Sequence, residues 1–294
     1  MRLQPAFHNP NHYPHHTQAN TDEQVIGLWL FGKAHSTQKA YRREISSFLD
    51  FCEDKPLTEI TLSMLQQYAL SIQQNAPASQ ARSLSAIKSL YSFARKIGYL
   101  TFNPAAVLKL PKYGSTVSNR ILSESDVQRL IIAASGRNEA IIRLLYGSGI
   151  RVSELVALSW RDVHKRNDQE GVLTISGKGG KVRSVVVYGN TWKTVCALKP
   201  GEVEDSTPVF VSRKRAGRLS ATQVYRIVRT VARKAGISAD VSPHWLRHCH
   251  ATHALERGGK IHEVQTTLGH SSVAVTSKYL HARPELSSGK YLID

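Results

Sequence analysis

Cysteine is scarce in this chain: Cys52, Cys196 and Cys249 are the only three, they stand far apart, and no CxxC pair occurs. An odd, scattered set argues against a disulfide framework or a thiolate zinc site and suits a reducing compartment. Long apolar runs are also lacking, none reaching the roughly 18 residues of a membrane span. The opening MRLQPAFHNPNHYPHH is polar and has no apolar h-region, so it does not read as a secretory signal. Acidic residues are few, 22 against 39 Lys and Arg, which gives 294 residues a formal charge of +17. That surplus favours a polyanionic partner and electrostatic steering toward it, while saying nothing about fold.

The machinery of several enzyme classes is missing as well. Gly147-Ser148-Gly149 does not extend to a dinucleotide-binding GxGxxG, because Val152 stands where the third glycine belongs. GKGGK at 177–181 has no Ser or Thr after either lysine and precedes a strand-like run, so it is not a phosphate loop. His262-Glu263 is followed by Thr266 where a zinc protease needs histidine, and no GxSxG nucleophile elbow exists. His244 and His248 are four apart and able to share a helix face, with Cys249, His250 and His253 beside them, but Trp245 replaces the glutamate such zinc sites use. No metal and no cofactor are expected.

What is present divides in two. Residues 1–20 read as a disordered polar leader containing His8, His12, His15 and His16; 21–110 as an N-terminal helical domain; 111–120 as a linker; and 121–294 as a C-terminal domain. In the first domain, Tyr41, Ile45, Phe48 and Cys52 form one helical stripe and Leu84, Ile87, Tyr91 and Ala94 another. Thr61 suits the cap of a helix from Leu62 to about Gln74, and Gly98 suits a helix end. The second domain mixes elements: a helix opened by Ser123, another over 137–146, a hairpin of Val172–Ser176 and Val182–Tyr188, then helices after Ser220 and over 244–256, 261–268 and 273–280. From 111 onward 28 basic residues face 15 acidic ones, so most of the excess charge lies there. Candidate DNA contacts are Lys39, Arg42, Arg43, Arg82 and Lys88 in the first domain, and Arg213, Lys214, Arg215, Arg226, Arg229 and Arg233 in the second, the last three on one helix face without an evident acidic counterweight.

Four patterns carry chemistry. YGSGIRVSELVALSWRDV (146–163) sets Arg151 before a helix that Ser153 is expected to cap, with Glu154 in the first turn. GKGGKVR (177–183) places Lys178 on a glycine-rich hairpin turn. SPHWLRHCHATH (242–253) puts His244 and Arg247 three apart on one helix face. LGHSSVAVTSKYL (268–280) carries His270 and Tyr279. Singly, each has a structural explanation: an ion-pair arginine, a solvated lysine, a core histidine, an ordinary tyrosine.

Together, in this order, they resemble the tyrosine recombinase (phage integrase) family, to which the two-domain Xer recombinases, Cre and lambda integrase belong. The likeness spans about 121–281, and the two-domain layout extends it back to about 22. It implies a mostly α fold with a small β-sheet: an N-terminal helical, SAM-like core-binding domain and a mixed α/β catalytic domain clamping duplex DNA. It implies a catalytic set of Arg151, Lys178, His244, Arg247, His270 and Tyr279, with Tyr279 the nucleophile forming a 3′-phosphotyrosyl link, Lys178 the general acid, and the histidines assisting proton transfer. The arginines are expected to lower the tyrosine pKa. The partner is double-stranded DNA, bound by a homotetramer or heterotetramer on paired sites that pass through a Holliday junction. The setting is the cytoplasm, in association with the nucleoid.

Two rival functions remain: strand relaxation in the manner of a type IB topoisomerase, and a catalytically silent DNA-binding homologue. After the tyrosine, HARPELSSGKYLID has Pro284 and Gly289 where Xer-like relatives have a helix, which favours integration or excision of a mobile element over chromosome-dimer resolution. Tyr291, in that tail, is a rival nucleophile. On one continuous helix His270 and Tyr279 fall half a turn out of phase, so both reach one phosphate only if the helix breaks, which Gly269 and Ser271-Ser272 allow.

Overall fold

The computed structural model describes residues 19–111, 120–177, 180–212, 217–237, 240–270 and 272–279. Most of the expected leader and linker, together with Lys178, Arg213, Lys214, Arg215 and Tyr291, lie outside the described residues. The chain forms two compact units, residues 1–114 and 115–294.

The first unit is helical: α1 (Asp22–Leu30), α2 (His35–Phe51), α3 (Leu62–Ser71), α4 (Pro77–Lys96) and a 3-10 turn at Pro104–Val107. Its helix starts follow local chemistry. Thr21 and Thr61 accept from the backbone N–H groups of Gln24 and Met64, and Pro77 opens α4 where a missing N–H costs nothing. Both expected stripes face inward, with Ile45, Phe48, Cys52, Leu84, Ile87, Tyr91 and Ala94 buried. Phe48 meets Tyr68 edge-on at 5.1 Å between ring centroids, and the Tyr68 hydroxyl is 3.0 Å from Ser83 Oγ. The α3 helix ends at Ser71 rather than near Gln74, as the Ser71 hydroxyl donates back to the Tyr68 carbonyl at 2.8 Å.

The second unit runs α5 (Glu124–Ile132), α6 (Arg137–Ser148), α7 (Val152–Ala157), β1 (Val163–Lys165), β2 (Glu170–Ser176), β3 (Val182–Tyr188), α8 (Gly189–Cys196), α9 (Ala221–Lys234), α10 (Pro243–Glu256), α11 (Ile261–Leu268) and α12 (Val273–Thr276). The strands form an antiparallel sheet in the order β1-β2-β3, with Leu173 opposite Val185 and Gly171 opposite Val187. Alternation turns Leu173, Ile175, Val185 and Val187 inward, onto one core with α6 and α8. Gly171 is required there: a Cβ would lie 2.3 Å from the Trp192 ring. The β1 strand, at three residues, is too short to show a period of two and exists only through its pairing with β2. The α12 helix is a single turn ending at Thr276, followed by a 3-10 turn at Ser277–Tyr279, in place of a helix from Val273 to Leu280. Three of its four residues are β-branched, which weakens helix propagation. None of the described helices is long and apolar enough to cross a membrane.

The Phe48 site generates a test of the first unit's core. Phe48→Ala is expected to destabilise it by about 3–5 kcal/mol, read from urea unfolding of the full chain, because the buried ring leaves a cavity.

Candidate active site

Three arginines from three elements converge on the last turn of α11. Arg183, on β3, donates from Nε to the Thr267 carbonyl at 2.9 Å. Arg247, on α10, donates from Nη2 to the Leu268 carbonyl at 2.7 Å, and Arg151 reaches the Gly269 carbonyl at 3.4 Å. Three successive carbonyls that the helix leaves without partners, at its negative end, are thus each held by a different guanidinium. Gly269 ends α11 with φ +63°, and a Cβ there would press on the Arg183 guanidinium at 3.1 Å.

A buried carboxylate holds two of the three in place. Glu154 accepts from Arg151 Nη1 at 2.8 Å and from both terminal nitrogens of Arg183 at 2.9 and 2.8 Å. It also accepts from the Arg151 backbone N–H at 2.8 Å. The cap of α7 is therefore Arg151, and not Ser153 as expected: Ser153 lies inside the helix, and the Glu154 carboxylate takes the N–H that a cap side chain would have left to solvent. Burial alone would raise the Glu154 pKa, but the hydrogen bonds and charges of Arg183 and Arg151 outweigh it and hold the carboxyl below its ordinary range.

Gly149 makes room for this assembly. It ends α6 with φ +61°, and a Cβ there would lie 2.6 Å from His250 and 2.7 Å from Leu268. Its carbonyl accepts from Arg247 Nη1 at 2.5 Å. Arg247 is only 6% exposed, and burial, then the charge of Arg151, lowers its pKa to about 10, so it stays protonated at neutral pH. Three guanidinium groups and one carboxylate, bonded to two of them, leave a surplus of two positive charges. Arg247 uses two of its five N–H donors on the carbonyls. The arrangement suits a tetrahedral oxyanion.

Tyr279 packs into the same place. It is 7% exposed, its ring stacks on His270 with 6.2 Å between centroids, and its hydroxyl lies 2.9 Å from His248 Nδ1. Gly269 and the Ser272 cap, whose hydroxyl accepts from the Ala274 N–H, break the chain between His270 and Tyr279 and let both face one point. His270 is steadied by a 2.8 Å hydrogen bond between its Nδ1 and Thr276 Oγ1. The expected lowering of the tyrosine pKa is corrected. Arg247 and Arg151 do pull it down, but burial of the phenol pushes harder and the net shift is upward. The nearby histidines are held neutral. Burial, then Arg247 and Arg151, takes His270 to about 4; burial, then His244, Arg120 and Arg247, takes His248 to about 4. His244 lies edge-on to the Tyr225 ring, and the protein packed around its imidazole, then the charges of Arg247 and Arg151, lower its pKa.

Known proteins resemble this chain along most of its length. A family model described as the phage integrase family covers residues 120–285, and one described as the phage integrase N-terminal SAM-like domain covers 27–98. The chain is 34% identical over 281 residues to a tyrosine recombinase XerD from Vibrio vulnificus (strain YJ016), covering 90% of this chain and 91% of that one. This chain belongs to the phage integrase family of tyrosine recombinases. It is 32% identical over 259 residues to a XerC of Xanthomonas campestris pv. campestris (strain B100), covering 83% and 78% of the two chains. Its fold is that of a lambda integrase dimer bound to a COC′ core site, with a TM-score of 0.73 at 20% identity over 91% of this chain and 77% of that one.

Within this family member, the described residues of the expected catalytic set (Arg151, His244, Arg247, His270 and Tyr279) belong to the one cluster; Lys178 lies outside the described residues. The sequence reading missed Arg183 and gave Glu154 no role. Strand alternation continues the inward face of Val187 and Val185 to Arg183, and a charge on that face was the available signal. His248 was weighed only as a metal ligand. Among the described residues no group of three possible ligands surrounds a metal position. His250 Nδ1 instead lies 2.7 Å from the Tyr146 carbonyl, and His253 lies 3.0 Å from the Tyr146 hydroxyl and 3.1 Å from the Leu122 carbonyl.

The candidate DNA contacts fall into two groups. Lys39 and Arg42 on α2, and Arg226 and Arg233 on α9, are exposed. Arg43 and Arg82 each lie 3.0 Å from Glu44, and Lys88 donates to the Ala106 and Leu108 carbonyls at 2.6 Å. Arg229 has the acidic counterweight that the sequence did not reveal, Asp240 at 3.4 Å.

Glu154 supplies a test. Glu154→Gln is expected to cost about 3 kcal/mol near pH 7, since it leaves buried guanidinium charge uncompensated. A carboxyl with a depressed pKa contributes stability above the ordinary range near 4 and loses it as pH falls through the folded value, so the two proteins are expected to converge on acidification. Chemical denaturation at pH 7 and pH 3 reads both effects.

Proposed function

We propose that this protein is a site-specific DNA recombinase that cleaves and rejoins strands through Tyr279, by way of a 3′-phosphotyrosyl intermediate and a Holliday junction. The observation that carries the reading is the buried Tyr279 phenol lying within electrostatic reach of two guanidinium groups with donors to spare. A phosphodiester carries one negative charge, and attack at phosphorus concentrates more on its non-bridging oxygens. Arg151 and Arg247 stabilise that charge with preorganised donors, each worth about 3–4 kcal/mol in a water-poor site. The phenolic oxygen forms the bond to phosphorus, the bond to the 5′ oxygen breaks, and Lys178 protonates the departing oxygen. His244 and His270 hold the phosphate and assist proton transfer.

The covalent ester conserves the energy of the broken linkage, so a second 5′-hydroxyl reverses the step on a new strand without ATP. Exchange needs paired sites and several subunits, for which a homotetramer or heterotetramer on double-stranded DNA is the natural form. Support comes from related assemblies: a lambda integrase tetramer bound to a Holliday junction, and a XerH site-specific recombinase bound to a difH substrate. The basic surplus supplies the sequence-independent part of the DNA affinity, which is expected to fall steeply with salt. The exposed Lys39, Arg42, Arg226 and Arg233 belong to that contribution, with Arg213, Lys214 and Arg215.

Tyr279→Phe is expected to bind DNA as the parent does and to form no covalent adduct on nicked duplexes drawn from a randomised pool, scored by denaturing gel. An adduct surviving in this variant moves the nucleophile elsewhere. Arg247→Lys is expected to slow adduct formation at least ~100-fold while binding changes little, because lysine offers a point charge instead of a planar fork. Equal losses in both assays would reduce Arg247 to a phosphate anchor.

A further inference from the structure

His248 is the only imidazole, among the described residues, in hydrogen-bond contact with the Tyr279 hydroxyl. His270 lies flat against the phenol ring and spends its Nδ1 on Thr276, and His244 makes no hydrogen bond to the phenol. The contact joins α10 to the 3-10 turn that carries Tyr279, so one turn of α10 presents Arg247 to the phosphate position and His248 to the nucleophile. Resting on the strand-cleaving reading above, we propose that His248 is a further catalytic residue, the base that takes the Tyr279 phenolic proton as the phosphotyrosyl bond forms and returns it when the bond is broken.

The step balances. The phenolic O–H bond breaks and its proton moves to His248 Nδ1 while the oxygen's electron pair bonds to phosphorus. The phosphorus–oxygen bond to the 5′ carbon's oxygen breaks, and that oxygen leaves with its pair and takes a proton from the general acid. In rejoining, the attacking 5′-hydroxyl releases a proton to that acid and His248 returns its own to the phenolate. Burial, then His244, Arg120 and Arg247, keeps the ring neutral, so it carries one lone pair, and the tautomer protonated at Nε2 turns that pair on Nδ1 to the phenolic O–H. Those cations would oppose an imidazolium, but the entering phosphodiester brings compensating negative charge beside Arg247 and Arg151. Base and nucleophile lie 2.9 Å apart, within the hydrogen-bond reach that proton abstraction needs.

The test uses the full-length protein and nicked suicide duplexes recovered by adduct trapping from a randomised pool. His248→Ala and His248→Gln are expected to melt near the parent temperature, to bind the duplex within threefold of it, and to form the Tyr279 adduct about 100-fold more slowly, a common size for lost general-base catalysis. Added imidazole is expected to restore rate to His248→Ala and leave the parent unchanged. Glutamine keeps a hydrogen-bond acceptor but takes no proton, so parent-like cleavage by His248→Gln would make the residue a mere support of the phenol and overturn the proposal. Parent-like cleavage by His248→Ala would overturn it outright. An adduct that forms in Tyr279→Phe sinks the nucleophile assignment itself, which separates failure of that reading from failure of this one.

Discussion

Guanidinium groups from β3, α10 and the start of α7 each take a different carbonyl at the end of α11, and among the described residues one carboxylate, Glu154, binds two of them. Like charges held this close repel, and the fold tolerates them through Glu154 and three helix-end carbonyls. Those partners fix direction as well as charge, because a guanidinium is a planar fork whose orientation follows from two hydrogen bonds. The net charge of the cluster is positive, which favours an anion beside it.

The same turn governs the tyrosine. Once α11 is stopped at Gly269 by a left-handed residue, the chain restarts at the Ser272 cap, and the one-turn α12 gives way to the 3-10 turn that carries Tyr279. His270 therefore sits on the ring it would otherwise oppose across a helix. Burial around the phenol keeps it protonated even with two arginines nearby. The charge of two arginines alone does not ionise this phenol, so its ionisation calls for a base.

Much of this was legible in the residue order. The stripes of α2 and α4, the caps at Thr61, Ser123 and Ser220, the β2–β3 hairpin and the break at Gly269 are local events, written by periodicity, side-chain capping and backbone freedom within a few residues. The motifs around Arg151, Arg247, His270 and Tyr279 named the residue types that phosphoryl transfer requires. Less was visible where one residue's partner is remote in sequence. Asp240 beside Arg229, the carbonyls beneath Lys88, and Glu44 between Arg43 and Arg82 changed charges that looked free into charges that are engaged.

The sequence by itself determined the repertoire: which helices and which hairpin form, and which charged, imidazole and phenol side chains the chain has to work with. Only the tertiary structure decided that Arg183 shares Glu154 with Arg151, that Gly149 must lack a side chain so that His250 and Leu268 can close over it, and that His248 is the imidazole at the phenol. The physical reason is range. Helix caps and strand alternation act over a few residues, whereas contacts between α7, β3, α10 and α11 arise only when a common core has brought those elements together.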